Sequence, residues 1–246
     1  MGTVLILGGT STIARAISAE FAAHGYDLLL TGRDCQELQT VTADLQIRYR
    51  VRATAYAFDA LLFDTHSATL ETILADAGDA LEGAVICFGY LGDQLKAQSD
   101  LTEAKHILDV NFTSCVSVLN ILANYFEKRR AGFLCALSSV AGDRGRQSNY
   151  IYGAAKAGLS AYLQGLNHRL FRANVCVLTV KPGFVDTRMT FARQGLFMMA
   201  SPEKIASGVY RAVTRRKDLV YLPWYWRPIM LVIRCIPNRL FKRSRL

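Results

Sequence analysis

No two cysteines in this chain of 246 residues stand at the spacing of a metal site or a redox pair. The six (Cys35, Cys87, Cys115, Cys135, Cys176 and Cys235) are scattered singly, mostly in apolar stretches. That excludes a disulfide-stapled scaffold and a cysteine-rich metal site, and it predicts reduced, buried thiols in a cytosolic compartment. The N-terminus lacks the basic and apolar regions of a signal peptide, so export by that route is not expected. There is no internal repeat, no low-complexity segment and no Gly/Ser-rich linker, which leaves no reason to divide the chain into several folded units.

Acidic residues are scarce in one place only. Residues 1–210 hold 19 Lys/Arg and 19 Asp/Glu, whereas residues 211–246 hold 10 Lys/Arg and the single acid Asp218. The whole net charge of +9 therefore sits at the C-terminal end of an otherwise neutral body. Such a charge often marks a nucleic-acid partner, but here the basic residues alternate with Trp224, Tyr225, Trp226, Ile229, Leu231 and Ile233. That mixture favours an anionic membrane surface over nucleic acid. The apolar stretch 229–236 is interrupted by Arg234 and falls far short of the ~20 residues of a span, so the expected attachment is peripheral. Docking of the same residues on the protein's own core or on a second subunit is the competing reading.

What is present is an alternation of short apolar runs with longer helical stretches. Residues 4–7, 28–30, 54–58, 84–88, 133–137 and 175–180 read as strands, and 13–23, 103–126 and 151–171 as helices. This order predicts an α/β fold, a Rossmann-like doubly wound parallel sheet with helices on both faces. At 51% apolar and 20% charged residues the composition can bury one large core. The catalytic body is expected to span 1–222, with 223–246 as an amphipathic basic and aromatic tail rather than a second domain.

Gly8-Gly9-Thr10-Ser11-Thr12-Ile13-Ala14 follows the first strand and opens the first helix. Free N–H groups at a helix N-terminus and small side chains suit a dinucleotide pyrophosphate there, although such a turn can also be only a tight connection. The acid that binds ribose in an NAD site is missing after the second strand, where Thr31-Gly32-Arg33 stands instead. A guanidinium can hold a 2′-phosphate, so NADPH/NADP+ is favoured, provided the strand ends where expected and Asp34 does not take the place of Arg33. Asp59, past the third strand, either meets the adenine or caps the next turn.

Tyr152 and Lys156 lie four apart at the start of a predicted helix and so share one face. A phenol with a reference pKa of about 10 serves acid–base chemistry at neutral pH only beside a positive charge, which Lys156 can supply. Ser139 ends the fifth strand, and Asn111 lies inside a predicted helix, where an amide is a weak helix former unless it has a task.

Gly8 with Thr12 and Ala14, Asn111, Ser139, Tyr152, Lys156 and Pro182-Gly183-Phe184-Val185-Asp186-Thr187 resemble the signature series of the short-chain dehydrogenases/reductases, over residues 3 to about 190. The resemblance implies that Ser139 polarises a carbonyl, Tyr152 is its proton donor, and Lys156 tunes Tyr152 and binds nicotinamide ribose. It also implies that Asn111 holds a water in a proton relay, that Pro182, Gly183 and Val185 contact the cofactor, and that Thr187 touches it near its nicotinamide. No metal is expected. Two positions depart from the pattern: the later turn glycines are Thr12 and Ala14, and the usual Asn-Asn-Ala-Gly is Ile86-Cys87-Phe88-Gly89.

The stretch 138–152 and the tail are similar to a narrower group of the family, which reduces the keto sugar of a polyprenyl-phosphate-linked pentose. Arg144 and Arg146, in the loop near the mouth of the site, would then either meet a substrate phosphate or be ordinary solvated loop charges, and residues 188–200, with Met189, Phe191, Leu196, Phe197, Met198 and Met199, would form an apolar lid, a piece of core or an oligomer contact. The leading expectation is a cytoplasmic, homo-oligomeric NADPH-dependent reductase of a lipid-linked or amphiphilic keto sugar, held peripherally at a membrane. A soluble reductase of 3-oxoacyl thioesters or small ketones has the same catalytic residues. A catalytically idle NADP(H)-binding sensor or scaffold would not need Tyr152 and Lys156 together.

Overall fold

The computed structural model describes residues 2–187 and 198–243. Most of the expected lid, including Met189, Phe191, Leu196 and Phe197, lies outside them, as does Arg245 of the tail. In chain order the strands are β1 (Thr3–Leu7), β2 (Asp27–Gly32), β3 (Ala53–Ala57), β4 (Leu81–Ile86), β5 (Phe133–Leu137), β6 (Cys176–Pro182) and β7 (Leu219–Leu222). The helices are α1 (Thr12–Ala23), α2 (Cys35–Tyr49), α3 (His66–Ala77), α4 (Gln94–Ala97), α5 (Leu101–Leu108), α6 (Ser114–Arg129), α7 (Tyr150–Leu170), α8 (Pro202–Thr214), α9 (Trp226–Cys235) and α10 (Asn238–Phe241).

All seven strands are parallel and stand in the order β3-β2-β1-β4-β5-β6-β7. The expected doubly wound sheet is present. Side chains alternate across each strand, so Val4 and Ile6 of β1 enter one core with Ile17, Phe21, Leu38, Ile205 and Val209 from α1, α2 and α8. Leu5 and Leu7 enter the other, with Ile73, Leu119, Leu122, Phe126, Leu159 and Leu163 from α3, α6 and α7. The stretch Leu101–Arg129 is long and apolar enough to cross a membrane by composition, but half of it is buried within the fold. Strand order reverses between β1 and β4, which opens a crevice at the carboxyl ends of those strands.

Several boundaries differ from the sequence reading. β4 stops at Ile86, whose last ladder partner is Ala136, so Cys87-Phe88-Gly89 run on beyond the sheet. β7, four residues and half-exposed, carries no strong apolar pattern and is legible only once it pairs with β6. The helix expected over 103–126 is two helices joined by a π-helical segment, Asp109–Thr113, with Asn111 inside it.

The tail folds back on the body. Trp226 and Met230 of α9 are fully buried beside Val140, the residue after Ser139, with Phe184, Tyr221, Tyr225, Ile229 and Ile233 around them. Trp226 lies so close to Gly183 that a Cβ there would fall 1.8 Å from the indole nitrogen. Arg144, expected in the loop near the mouth of the site, caps the C-terminal end of α9. Its guanidinium donates to the carbonyls of Ile233, Arg234 and Ile236 and to Asn238 Oδ1, and stacks 3.9 Å from the Phe241 ring. A cation at the negative end of a helix dipole, satisfying its last carbonyls, accounts for that placement. Arg146, half-buried, donates to Met230 Sδ, and burial draws its pKa down despite the nearby Asp143.

Beside Arg144, Asp143 forms an ion pair with Lys181 at the end of β6 and accepts from the Tyr221 hydroxyl at 2.8 Å. Both charged side chains are almost wholly buried. Burial, with the Asp143 hydrogen bond next, pushes the Tyr221 phenol up to about 12. Removing one partner of such a pair leaves an uncompensated buried charge, a loss of about 3–5 kcal/mol. Asp143→Ala is expected to lower the urea unfolding free energy by about that amount, and Lys181→Met with Asp143→Ala to recover part of it. An Asp143→Ala protein as stable as the parent would show the pair to be incidental.

Candidate active site

A pocket of about 540 Å³ runs along the carboxyl ends of the strands. One end is made by the turn after β1. Gly8 has φ +85°, and a Cβ there would lie 2.8 Å from the Phe88 amide nitrogen, so only glycine fits. Ser11 caps α1 by accepting from the Ala14 amide, which aims the first turn of the helix at the pocket. Thr10, Ser11, Thr12 and Ile13 line the wall. Arg33 is the first residue past β2 and is exposed at the rim, while Asp34 is occupied in capping α2 by accepting from Glu37 N at 2.9 Å. The strand therefore ends where the cofactor argument requires. Asp59 lines the same end and also closes a turn, since its Oδ1 accepts from the Leu61 amide.

The other end is made by β5, α7 and the start of the loop after β6. Ser139 Oγ accepts from the Ala141 amide at 3.1 Å, which orients the hydroxyl and leaves its proton to be donated. Its neighbour Ser138 is buried and bonds to the Lys156 carbonyl and to Ser160 Oγ, tying β5 to α7. Lys156 is buried and donates from Nζ to the Leu137 carbonyl at 2.9 Å, with the ammonium 5.8 Å from the centroid of the Tyr152 ring. A buried positive charge thus stands beside the phenol ring. Ser139, Tyr152 and Lys156 line one pocket with Gly8, Arg33, Pro182, Gly183, Val185 and Thr187.

Asn111 stands apart from that lining. It is fully buried, its side-chain amide donating to the carbonyls of Tyr90 and Ile107 while its oxygen accepts from the Tyr90 amide at 3.2 Å. The residue thus pins the segment after β4 against the π-helical turn. Arg144 and Arg146, turned toward the tail, are not among the lining residues either.

Sequence reasoning missed Glu37, Phe88, Tyr90 and His106, all of which line the pocket. Glu37 forms an ion pair with Arg15, and Tyr90 meets His106 edge to face at 4.6 Å while donating to Glu103. Only Phe88 stands at a motif position, that of the altered Ile86-Cys87-Phe88-Gly89, and only the tertiary fold brings the four together. Cys87 also lines the pocket, but burial pushes its thiol up to about 12, which disfavours the nucleophilic thiolate. Burial also raises Cys115 to about 11, and Cys135 and Cys176 are raised in the same direction. Alkylation of the native protein at pH 8 is expected to modify only the exposed Cys35 and Cys235, giving two adducts by intact mass and six after unfolding. A third native adduct at Cys87 would contradict the closed, protonated thiol.

The chain matches the short chain dehydrogenase family over residues 2–194 and belongs to it. It is 34% identical over 240 residues to an uncharacterized oxidoreductase of Mycobacterium tuberculosis, covering 98% of this chain and 96% of the relative. The 3-oxoacyl-[acyl-carrier-protein] reductase FabG of Aquifex aeolicus is 29% identical over 186 residues, 76% of this chain and 75% of that protein. Among solved structures, a short-chain dehydrogenase from Sphingobium yanoikuyae in complex with NADPH has the same fold. It matches with TM-score 0.83 and 22% identity over 100% of this chain and 97% of that one. The protein is an oxidoreductase of this family.

Proposed function

We propose that the protein reduces a ketone to a secondary alcohol with NADPH, and that its substrate is a lipid-linked or otherwise amphiphilic keto sugar. The observation that carries the chemistry is the convergence of Ser139, Tyr152 and Lys156 on a pocket whose far end holds the Gly8 turn and Arg33. NADPH held between the Gly8 turn, Arg33 and the residues after β6 would supply the hydride for the carbonyl carbon. The chain's own part is the proton: Ser139 donates a hydrogen bond to the carbonyl oxygen, and Tyr152 transfers its phenolic proton there as the alcohol forms. Buried Lys156 favours the phenolate left behind.

The phosphorylated cofactor is supported by Arg33 just past β2, by the engagement of Asp34 in capping α2, and by the NADPH held in the Sphingobium yanoikuyae enzyme. Glu37 does not reverse this charge balance, because Arg15 neutralises it. The amphiphilic substrate is supported by the similarity of 138–152 and of the tail to decaprenylphosphoryl-2-keto-β-D-erythro-pentose reductase. A tail with five Lys/Arg and no acid over 219–243 would bring the enzyme to a cytoplasmic membrane surface, where such a substrate resides. The FabG relative supports the second reading, a reductase of 3-oxoacyl thioesters.

NADPH oxidation measured against a polyprenyl-phosphoryl keto sugar, a 3-oxoacyl thioester and a small ketone separates these readings, and turnover of the thioester alone would replace the first with the second. With whichever ketone turns over, Tyr152→Phe is expected to bind NADPH with unchanged affinity and lose about 10²–10⁴-fold in kcat. Full turnover by that variant would remove Tyr152 from its role. Arg33→Ala is expected to weaken NADPH binding by about tenfold and leave NADH unaffected, corresponding to the loss of one charge-assisted contact. An unchanged ratio of the two would place 2′-phosphate recognition elsewhere.

A further inference from the structure

Helix α9 has two apolar faces, and the body covers one of them. Trp226, Met230 and Ile233, at i, i+4 and i+7, face inward and are buried or nearly so. Pro228, Leu231, Val232 and Cys235 fall on the opposite side and are exposed, Leu231 by 62% and Val232 by 64%. Trp224 just before the helix is 76% exposed, and Leu240 in α10 is 59% exposed. The Tyr225 hydroxyl bonds to the Met198 carbonyl, which sets the half-exposed Met198 and Met199 beside this surface. Arg227 and Arg234, seven residues apart and so on one flank, are both exposed, as are Arg239, Lys242 and Arg243. From Leu219 to Arg243 there is no Asp or Glu.

A helix apolar on its outer side needs an occupant there, because water is a poor one. A second copy is a poor fit, since a two-fold interface would set this patch against itself and bring two sets of arginines together with no carboxylate between them. A neutral apolar partner would leave the basic flank unused. We infer that the outer face of α9, with Trp224 and Leu240, is a docking surface for an anionic lipid bilayer, lying in the plane of the headgroups. Ten residues of α9 are far too few to cross. Leu231 and Val232 enter the acyl boundary, Trp224 sits at headgroup level, and the five cations meet lipid phosphates. Each cation brought close to the surface strengthens attachment roughly fivefold, and salt weakens it. The inference gives a location to the amphiphilic-substrate reading but does not depend on which ketone is reduced.

The test is flotation of the full-length protein with vesicles of phosphatidylcholine alone or mixed with phosphatidylglycerol, for the parent, Leu231→Ser/Val232→Ser and Arg227→Gln/Arg234→Gln. The parent is expected to float with the anionic vesicles at low salt and far less with neutral ones. Each double variant should bind at least tenfold more weakly, while thermal unfolding and NADPH binding stay unchanged, because none of the four side chains is buried. Equal flotation of parent and variants would overturn the inference. So would a parent that ignores vesicles but dimerises through this face, its variants being monomeric by sedimentation. Failure of reduction with every ketone would count against the proposed activity and leave the flotation result standing.

Discussion

The position of one ammonium organises the catalytic end of this molecule. Lys156 is buried, and a buried cation is tolerable only where its protons are placed and its field is used. Its partner is the carbonyl of Leu137, the last residue of β5, so the charge is held by the strand that also delivers Ser139. Ser138 closes the other side of the bracket by bonding to the carbonyl of Lys156 itself. The phenol of Tyr152, one helical turn earlier, receives the field of this charge. Cys87 and Cys115 lie within reach of the same field, yet burial outweighs it and both stay protonated.

Around that bracket the fold ties loops together by polar contacts to the main chain. Asn111 is engaged with the backbone of Tyr90 and turns a π-helical irregularity into a clamp on the segment after β4. Asp143, four residues after Ser139, joins Lys181 of β6 and Tyr221 of β7. Three successive strand ends on the substrate side are thereby connected through one buried carboxylate. The pyrophosphate end relies on the opposite device, a glycine with positive φ where any side chain would strike Phe88.

Much of this was legible beforehand, for reasons that are local. Tyr152 and Lys156 share a face because a helix has 3.6 residues per turn, and Gly8 and Arg33 follow from where two short apolar strands stop. Contacts between distant segments were not legible. Arg144 and Arg146 read as loop charges near a mouth, and nothing local told that a helix more than eighty residues later would bring its carbonyl end to Arg144. The competing readings of the tail also proved too simple, since 226–233 docks on the protein's own body through one face and leaves the other in the open. Tyr90, His106 and Glu37 carry no periodic or motif signal, so only the folded chain assigns them to the pocket.

The contact of Trp226 with Gly183 and Val140 has a consequence for how such a protein can change. A terminal extension is usually the part of a chain freest to drift, because little rests on it. Here two turns of helix are held inward, against the backbone beside Ser139. Exchange of the tail would therefore disturb the packing of the loop that carries Ser139 as well as the surface of the molecule. The last strand and the arm after it pack as one unit with the loop that bears Ser139.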